Sequence, residues 1–333
     1  MTTRPFETLT PGGRVRRLRA TAGAALRRCG VEPASLRLLS SETNTVFRAR
    51  AADGRAFVVR VGSTGLFEHD AGQARSETAW LTDLAGSGAA AASVPVPGND
   101  GDPVGLIEVP GVPGPRVCVV FEWIPGPLLH DRASPDTFAA YGRLAARLHG
   151  HAAGFTPGGG GTTLRYDEVF PFEEPVVLFE GDHPFFGRER RARFVFAAAS
   201  AQDLIASLAA APMRLIHGDL HPWNVVAGRR GLRAIDFEDH MWGWPIQDLG
   251  IALYYVRGRP DYPTLFEAFR RGYESVAPWP EPRPGDLDRA IAARLLVIAN
   301  DVILLDRAGE PGVAAFAFFE RADLRLAELF PDA

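Results

Sequence analysis

The sequence predicts an α+β protein with two parts, a small antiparallel sheet with a leading helix and then a larger, mainly helical region. Three observations favour this fold class. Short, partly alternating apolar segments dominate up to residue 124, apolar residues recur at helical spacing after residue 127, and Pro125-Gly126-Pro127 separates the two patterns. We therefore expect one domain at residues 1–124 and a second at residues 125–333.

The first domain is expected to begin with an amphipathic helix, because Val15, Leu18, Ala22 and Leu26 share one helical face. Strand-like segments follow at 36–39, 45–50, 56–61, 105–109 and 117–123. Asp53-Gly54 between two of them is typical of a hairpin turn. A helix at about 74–84 is expected to interrupt the strands.

The second domain is expected to begin its helices at Ser134-Pro135, because serine caps free amides and proline suits the first helical turn. Further helical patterns cover residues 188–210, 245–256, 263–275, 287–305 and 314–329. A polar segment with short strands, residues 215–240, lies between the first two of these. It contains most of the candidate chemistry.

The composition excludes several classes of function. All 36 basic residues are arginine, which excludes Schiff-base chemistry on a lysine and a Walker A loop. The formal charge of -4 argues against nucleic-acid or membrane-surface binding, and Cys29 and Cys118 form no disulfide framework. No signal-peptide core and no stretch near the ~20 apolar residues of a membrane span is present, so we expect a cytoplasmic protein.

The polar segment contains the run His217-Gly218-Asp219-Leu220-His221-Pro222-Trp223-Asn224 and, after a turn, Ile235-Asp236-Phe237-Glu238. A hairpin between them would bring Asn224 and Asp236 together at its open end, with Asp219 on the loop before it. One carboxylate and one carboxamide suit Mg²⁺ that is also bound by substrate phosphates. We therefore expect Asn224 and Asp236 to hold the metal, and Asp219 to orient an attacking hydroxyl.

These two runs resemble the H-G-D-x-x-x-x-N and I-D-F-[DE] segments of the aminoglycoside phosphotransferase and choline kinase superfamily, which has the bilobal protein-kinase-like fold. The resemblance implies that Asp219 is the catalytic base and that Asn224 and the catalytic Asp236 are metal ligands. It also implies that His217 braces the loop and that Asp248 anchors its backbone amides. The 245–249 segment and the layout of the chain look most like bacterial stress-response kinases and type II homoserine kinases.

The resemblance extends to the nucleotide-binding elements of the first domain. The strand at 57–61 resembles the one whose lysine contacts the α- and β-phosphates, with Arg60 in the place of that lysine. This departs from the protein-kinase pattern, although the superfamily often has arginine there, and Glu77 is the expected helix partner of Arg60. Ser41 and Asn44 lie in the segment that replaces the phosphate-covering loop, although this segment contains no glycine. The segment at 120–124 resembles the inter-lobe hinge of the superfamily. The resemblance implies that the backbone groups of Glu122 and Ile124 bind adenine.

Together these residues predict a phosphotransferase that uses ATP (or GTP) and Mg²⁺ and has an alcohol group of a small molecule or of protein Ser/Thr as acceptor. We expect no nucleic-acid or membrane partner. Two alternatives remain open, a metallohydrolase using His217-x-Asp219-x-His221 and a nucleotide-binding pseudokinase, for which the missing lysine is the argument. The sequence does not identify the acceptor, the choice between ATP and GTP, or the oligomeric state.

Overall fold

The computed structural model describes residues 4–41, 43–64, 68–158, 160–310 and 312–331. The chain forms two compact units. The first comprises Met1–Gly126 with Thr156–Thr163, and the second comprises Pro127–Phe155 with Leu164–Ala333. Within the described ranges no helix has both the length and the apolar character that crossing a membrane requires.

The first unit is built on a five-stranded antiparallel sheet. Its elements in chain order are α1 (Pro11–Arg28), β1 (Pro33–Ser41), β2 (Thr45–Ala51), β3 (Ala56–Val61), α2 (Ala71–Ser87), β4 (Val104–Ile107) and β5 (Arg116–Glu122). The strand order in the sheet is β1-β2-β3-β5-β4. Every helix and strand predicted for this domain is present. The differences lie at the ends of the elements, where sequence patterns are least informative.

The two faces of this sheet have different roles. One face packs on α1 and forms a closed apolar core, which includes Leu18, Leu26, Phe47, Val59 and Val120. Cys118 lies in the same core as a small buried apolar side chain. Because side chains alternate along β3, Arg60 points to the opposite face, where α2 packs against β4 and β5.

The segment 156–163 departs from the predicted domain division, because it lies beyond residue 124 yet belongs to the first unit. Hydrogen bonds to α2 and its cap explain the difference. The hydroxyl oxygens of Ser76 and Thr163 are 2.6 Å apart, and Thr162 donates to Asp70 Oδ1 at 3.1 Å. No periodic pattern in the sequence encodes such side-chain pairing.

The second unit is mainly helical, and every helix predicted for it is present. Its elements are α3 (Pro135–Ala152), β6 (Leu164–Arg165), α4 (Arg188–Leu208), β7 (Arg214–Ile216), β8 (Val225–Gly228), β9 (Gly231–Ala234), β10 (Met241–Gly243), α5 (Pro245–Tyr254), α6 (Tyr262–Glu274), α7 (Asp286–Arg307) and α8 (Ala315–Leu329). β8 and β9 form the predicted hairpin, while β6, β10 and β7 form a small separate sheet. Strands as short as β6 carry no periodicity from which they could be predicted.

Helices α3 and α6 pack with their backbones in direct contact. A Cβ atom added to Gly142 would lie 2.0 Å from the carbonyl oxygen of Phe269, and one added to Gly272 would lie 2.0 Å from that of Ala139. Neither distance leaves room for a methyl group. The two glycines therefore set the separation of the helices, and α3 also carries His149 toward the catalytic loop.

Candidate active site

The loop from His217 to Asn224, here called the catalytic loop, begins directly after β7. Gly218 makes its first turn possible. Its φ angle of 79° is in the left-handed region, and an added Cβ would lie 1.9 Å from the carbonyl oxygen of Asp239. Residue 218 therefore has to be glycine for the loop and the 236–240 segment to approach each other.

Asp248 anchors the catalytic loop, as predicted. Its carboxylate is fully buried in the first turn of α5 and accepts hydrogen bonds from the amides of His217 at 2.8 Å and Gly218 at 2.9 Å. His149 Nε2 lies 3.0 Å from the same carboxylate, and His149 Nδ1 lies 3.0 Å from the Tyr273 hydroxyl. These contacts hold the backbone before Asp219 in one position.

Asp219 and Asn224 are in direct contact. Asn224 Nδ2 donates to the Asp219 carboxylate at 2.8 Å and to its backbone carbonyl at 3.0 Å. The Asn224 carbonyl accepts from the amide of Ile235 at 2.9 Å, which extends the β8–β9 hairpin by one pair. Asn224 and Asp236 therefore flank the same open end of the hairpin.

Asp236 has an unusual backbone conformation. Within the described ranges it is the only non-glycine residue with a positive φ angle, at 64°. Aspartate tolerates this conformation better than most residues, but the conformation still costs free energy and is concentrated at functional sites. The exposed carboxylate of Asp236 is thus presented by a specially shaped backbone.

His217 is fully buried and has a structural role. Its Nε2 lies 3.0 Å from the Ile235 carbonyl, and its Nδ1 accepts a hydrogen bond from the amide of Asp219 at 3.3 Å. Burial lowers the pKa of His217, which favours the neutral ring that this pattern requires. Since both ring nitrogens are engaged, His217 is unsuited to the metal-ligand role of the metallohydrolase alternative.

Arg294, which the sequence patterns did not single out, contacts Asp219. Its Nη2 donates to Asp219 Oδ1 and, at 2.9 Å, to the Tyr255 hydroxyl. Burial by itself would raise the pKa of Asp219, but Arg294 and then His221 outweigh it and hold that pKa below its usual value. A signal was present in the sequence, since Arg294 interrupts an apolar run of α7 with no acidic residue three or four positions away.

In the first unit, Arg60 and Glu77 form a buried, two-pronged ion pair. Arg60 Nη1 donates to Glu77 Oε1 at 3.0 Å, and Nη2 donates to Oε2. Glu77 is 1% exposed and Arg60 is 9% exposed. The guanidinium also lies 5.5 Å from the ring centroid of Phe121, so its position is set from several sides.

The other candidate nucleotide-binding residues of this unit lie at strand ends. Ser41 Oγ is 3.0 Å from Thr45 Oγ1 across the β1–β2 turn, and Asn44 Oδ1 accepts from the amide of Ser63 at 3.1 Å. Residue 42 of the same turn lies outside the described residues.

The two candidate hinge residues lie at and just after the end of β5. The backbone amide of Glu122 donates a hydrogen bond to the Val94 carbonyl, so the backbone carbonyl of Glu122 is the group suited to bind a nucleotide base. Ile124 follows the end of β5.

The donor set in the second unit fits a magnesium ion. The side-chain nitrogen of Asn224, Nδ2, faces Asp219, so its side-chain oxygen, Oδ1, is the atom suited to bind a cation. Asp236 adds a carboxylate. Two oxygen donors with several places left for water and phosphate are typical of Mg²⁺. Within the described residues no cluster of three or more His, Cys, Asp or Glu side chains forms an all-protein metal site.

Asp301 on α7 lies near several other charges of this unit. Burial raises the pKa of Asp301 to about 7; Arg294 opposes the rise, while Glu174, Asp239 and Asp219 add to it. The folded-state pKa therefore lies above the ordinary value of 3.8. Asp301 therefore lowers the free energy of unfolding as the pH rises from about 4 to about 7, because the unfolded chain loses this proton more readily than the folded protein does. Above pH ~7 the loss of stability is complete.

We expect Asp301→Asn to remove this dependence, since asparagine cannot ionise. The variant should match the wild type in free energy of unfolding at pH ~3.5, below the ordinary pKa of the carboxyl, and exceed it at pH ~8.5 by about 1–3 kcal/mol, after allowance for partial solvent screening. Thermal unfolding of both proteins across this pH range measures the difference. A difference that is the same at both pH values would contradict the assignment.

Comparison with known proteins identifies the family and the fold of this chain. Residues 35–285 match the phosphotransferase enzyme family. No curated protein matches the chain. A microcompartment-associated aminopropanol kinase has a similar structure, at 23% identity and a TM-score of 0.72, over 93% of this chain and 95% of that one. An amicoumacin kinase with AMP-PNP and Ca²⁺ bound is similar at 17% identity and a TM-score of 0.74, over 94% and 96%.

A spectinomycin phosphotransferase in complex with ADP and spectinomycin is similar at 11% identity and a TM-score of 0.65, over 97% of this chain and 99% of that one. These structures confirm the predicted α+β, kinase-like fold, with its antiparallel sheet first and its helical region second. The family match spans most of the chain, includes the whole catalytic loop and confirms the predicted enzyme class. The chain belongs to the phosphotransferase enzyme family, within the aminoglycoside phosphotransferase and choline kinase superfamily.

Proposed function

We propose that this phosphotransferase moves the γ-phosphoryl group of ATP (or GTP) to a hydroxyl group of a small molecule or of protein Ser/Thr, with Mg²⁺ as cofactor. The observation that carries the proposal is the contact between Asp219 and Asn224 on a loop whose amides Asp248 anchors. Phosphoryl transfer depends mainly on positioning and electrostatics, which an anchored loop provides. A cytoplasmic setting, where ATP is supplied, is part of the proposal.

In the proposed step, the acceptor hydroxyl donates a hydrogen bond to Asp219 and its oxygen forms a bond to the γ-phosphorus. The bond from the γ-phosphorus to the β–γ bridging oxygen breaks, ADP (or GDP) leaves with that electron pair, and the hydroxyl proton passes to Asp219. Asn224 and Asp236 would hold Mg²⁺, which would neutralise phosphate charge when bound.

The proposed nucleotide contacts of the first unit are separate from these residues. Arg60 offers two donors suited to phosphate oxygens. The other proposed nucleotide contacts are Ser41, Asn44, Glu122 and Ile124.

The acceptor class of this proposal follows the similar structures. Aminopropanol, amicoumacin and spectinomycin are the small molecules named for the three enzymes described above. The resemblance to stress-response kinases and homoserine kinases favours a metabolite or a protein hydroxyl over an antibiotic, and this branch of the superfamily stays a prediction. Both kinds of acceptor can be tested in one assay.

The test is a screen of the purified protein with γ-labelled ATP and with GTP, across amino alcohols, aminoglycosides, sugars, homoserine and the protein itself. We expect Mg²⁺-dependent transfer of label to at least one hydroxyl acceptor, with autophosphorylation as the first readout. Nucleotide binding without any transfer would favour the pseudokinase alternative. Tightly bound zinc or manganese in the purified protein, with hydrolysis in place of transfer, would favour the metallohydrolase alternative.

Arg60→Ala is expected to raise the nucleotide KM or lower kcat by about 10-fold or more, because it removes a charged, forked phosphate donor and leaves Glu77 buried without its partner. Steady-state kinetics with varied ATP measures the change. Arg55→Ala is the matched control, since Arg55 pairs with Asp53 and lies over Phe57 on the same strand hairpin. Equal kinetics for both variants would contradict the role of Arg60.

A further inference from the structure

Arg294 places a buried cation directly against the proposed base. It is 9% exposed, and its Nη2 is shared between Asp219 Oδ1 and the Tyr255 hydroxyl. The guanidinium carbon lies 5.7 Å from the centroid of the Tyr255 ring. Its Nε is buried and has no hydrogen-bond partner among the described residues. The guanidinium is thus held chiefly through the nitrogen that contacts Asp219.

The two carboxylate oxygens of Asp219 are not equally occupied. Oδ2 accepts from Asn224 Nδ2 at 2.8 Å and lies 3.2 Å from His221 Nε2, whereas Arg294 contacts Oδ1. A carboxylate oxygen accepts about two hydrogen bonds, so Oδ2 is saturated and Oδ1 has one place left. An acceptor hydroxyl therefore reaches Asp219 at Oδ1, beside the guanidinium of Arg294.

We propose that Arg294 is a positioning residue for phosphoryl transfer, which holds Oδ1 of Asp219 in the orientation that receives the acceptor hydroxyl. The inference rests on the proposed function and adds a residue that lies outside both sequence segments of the site, residues 217–224 and 235–238. Without Arg294, Asp219 is held by donors on one oxygen, and its carboxylate can turn about the Cβ–Cγ bond. Displacement of a reacting group by about 1 Å can cost about 10²-fold in rate.

Arg257 provides a matched reference in the same unit. Its Nη1 lies 3.2 Å from Asp288 Oδ1 and donates to the Tyr262 hydroxyl at 3.1 Å, and its guanidinium carbon lies 5.0 Å from the Tyr262 ring centroid. It therefore has a carboxylate, a phenol and a ring face around it, as Arg294 has. Asp288 lies outside residues 217–224 and 235–238. Loss of Arg257 should therefore lower the stability of the protein without changing the rate of phosphoryl transfer.

The experiment compares Arg294→Ala, Arg294→Lys and Arg257→Ala with the wild type, using an acceptor identified in the screen. We expect Arg294→Ala to lower kcat by about 100-fold, because the nucleophile loses its fixed direction, while the nucleotide KM stays near the wild-type value. Added guanidinium ions should restore part of the kcat of Arg294→Ala. Arg257→Ala should keep kcat and show only a lower Tm, with no response to guanidinium.

Arg294→Lys keeps the buried positive charge but loses the planar guanidinium that fixes the contact geometry. This variant should therefore fold and show an intermediate kcat. If the alanine variant does not fold, a wild-type kcat for Arg294→Lys overturns the inference. A kcat of Arg294→Ala within about threefold of the wild type also overturns it, as does a loss equal to that of Arg257→Ala without rescue by guanidinium. A wild type that transfers to no acceptor overturns the proposed function instead, which keeps the two failures distinct.

Discussion

Asp219→Asn is expected to lower kcat for phosphoryl transfer by about 10³-fold while nucleotide binding is retained. The substitution keeps the size of the side chain and removes the charge that accepts the hydroxyl proton. The backbone of the loop should not move, because Asp248 holds it through the amides of residues 217 and 218 rather than through the Asp219 side chain. The loss should therefore fall on the transfer step.

Measurement of kcat with the acceptor, and of the Kd of Mg²⁺–nucleotide by calorimetry, separates the two effects. Asp261→Asn is the matched control, since Asp261 pairs with Arg259 at the exposed start of α6 and should leave both quantities unchanged. If Asp219→Asn retained most of its transfer activity, the assignment of the base would be wrong. A large loss of nucleotide binding would instead indicate that Asp219 takes part in holding the metal.

Gly272→Ala is expected to have the largest effect on stability, lowering the free energy of unfolding by about 3 kcal/mol or more. The new methyl group would lie 2.0 Å from the backbone carbonyl oxygen of Ala139, and a backbone atom in a helix cannot move aside as a flexible side chain can. The two helices would have to separate. Since α3 carries His149, which contacts Asp248, a loss of activity should accompany the loss of stability.

Gly150→Ala is the control for this prediction, because Gly150 lies on α3 with no neighbouring atom within 4 Å of an added Cβ. An alanine there should stabilise the protein by about 0.5–1 kcal/mol through its better helix propensity. The same substitution thus has opposite signs at two positions of one helix pair. Urea unfolding of the two variants measures both, and equal changes would show that α3 and α6 do not make the close approach.

Strong periodicity and capping made most of the fold predictable. The start of α3 at Ser134-Pro135 is an example, since Ser134 Oγ accepts from the amide of Thr137 at 3.3 Å as a capping serine should. The catalytic loop was also predictable, because its side chains act over a few residues of chain. Asp219 and Asn224 are five positions apart, and a loop with a hairpin behind it brings them into contact.

The parts that could not be predicted depend on contacts between distant segments. Arg294 reaches Asp219 across 75 positions of sequence, and Thr163 reaches Ser76 across 87. Hydrophobic periodicity describes one element at a time and contains no information on such pairs. An arginine inside the apolar run of α7 is compatible with a buried partner, but only the folded chain shows which carboxylate it is.

The buried ion pair of Arg60 with Glu77 has a consequence for how the nucleotide site can be labelled. Reagents that acylate a lysine beside bound nucleotide need a neutral amine nucleophile, and this chain has no lysine side chain to supply one. A guanidinium stays protonated at any working pH and does not react in this way. Dicarbonyl reagents that modify arginine are the suitable probes, and nucleotide should protect Arg60 from them if it binds there.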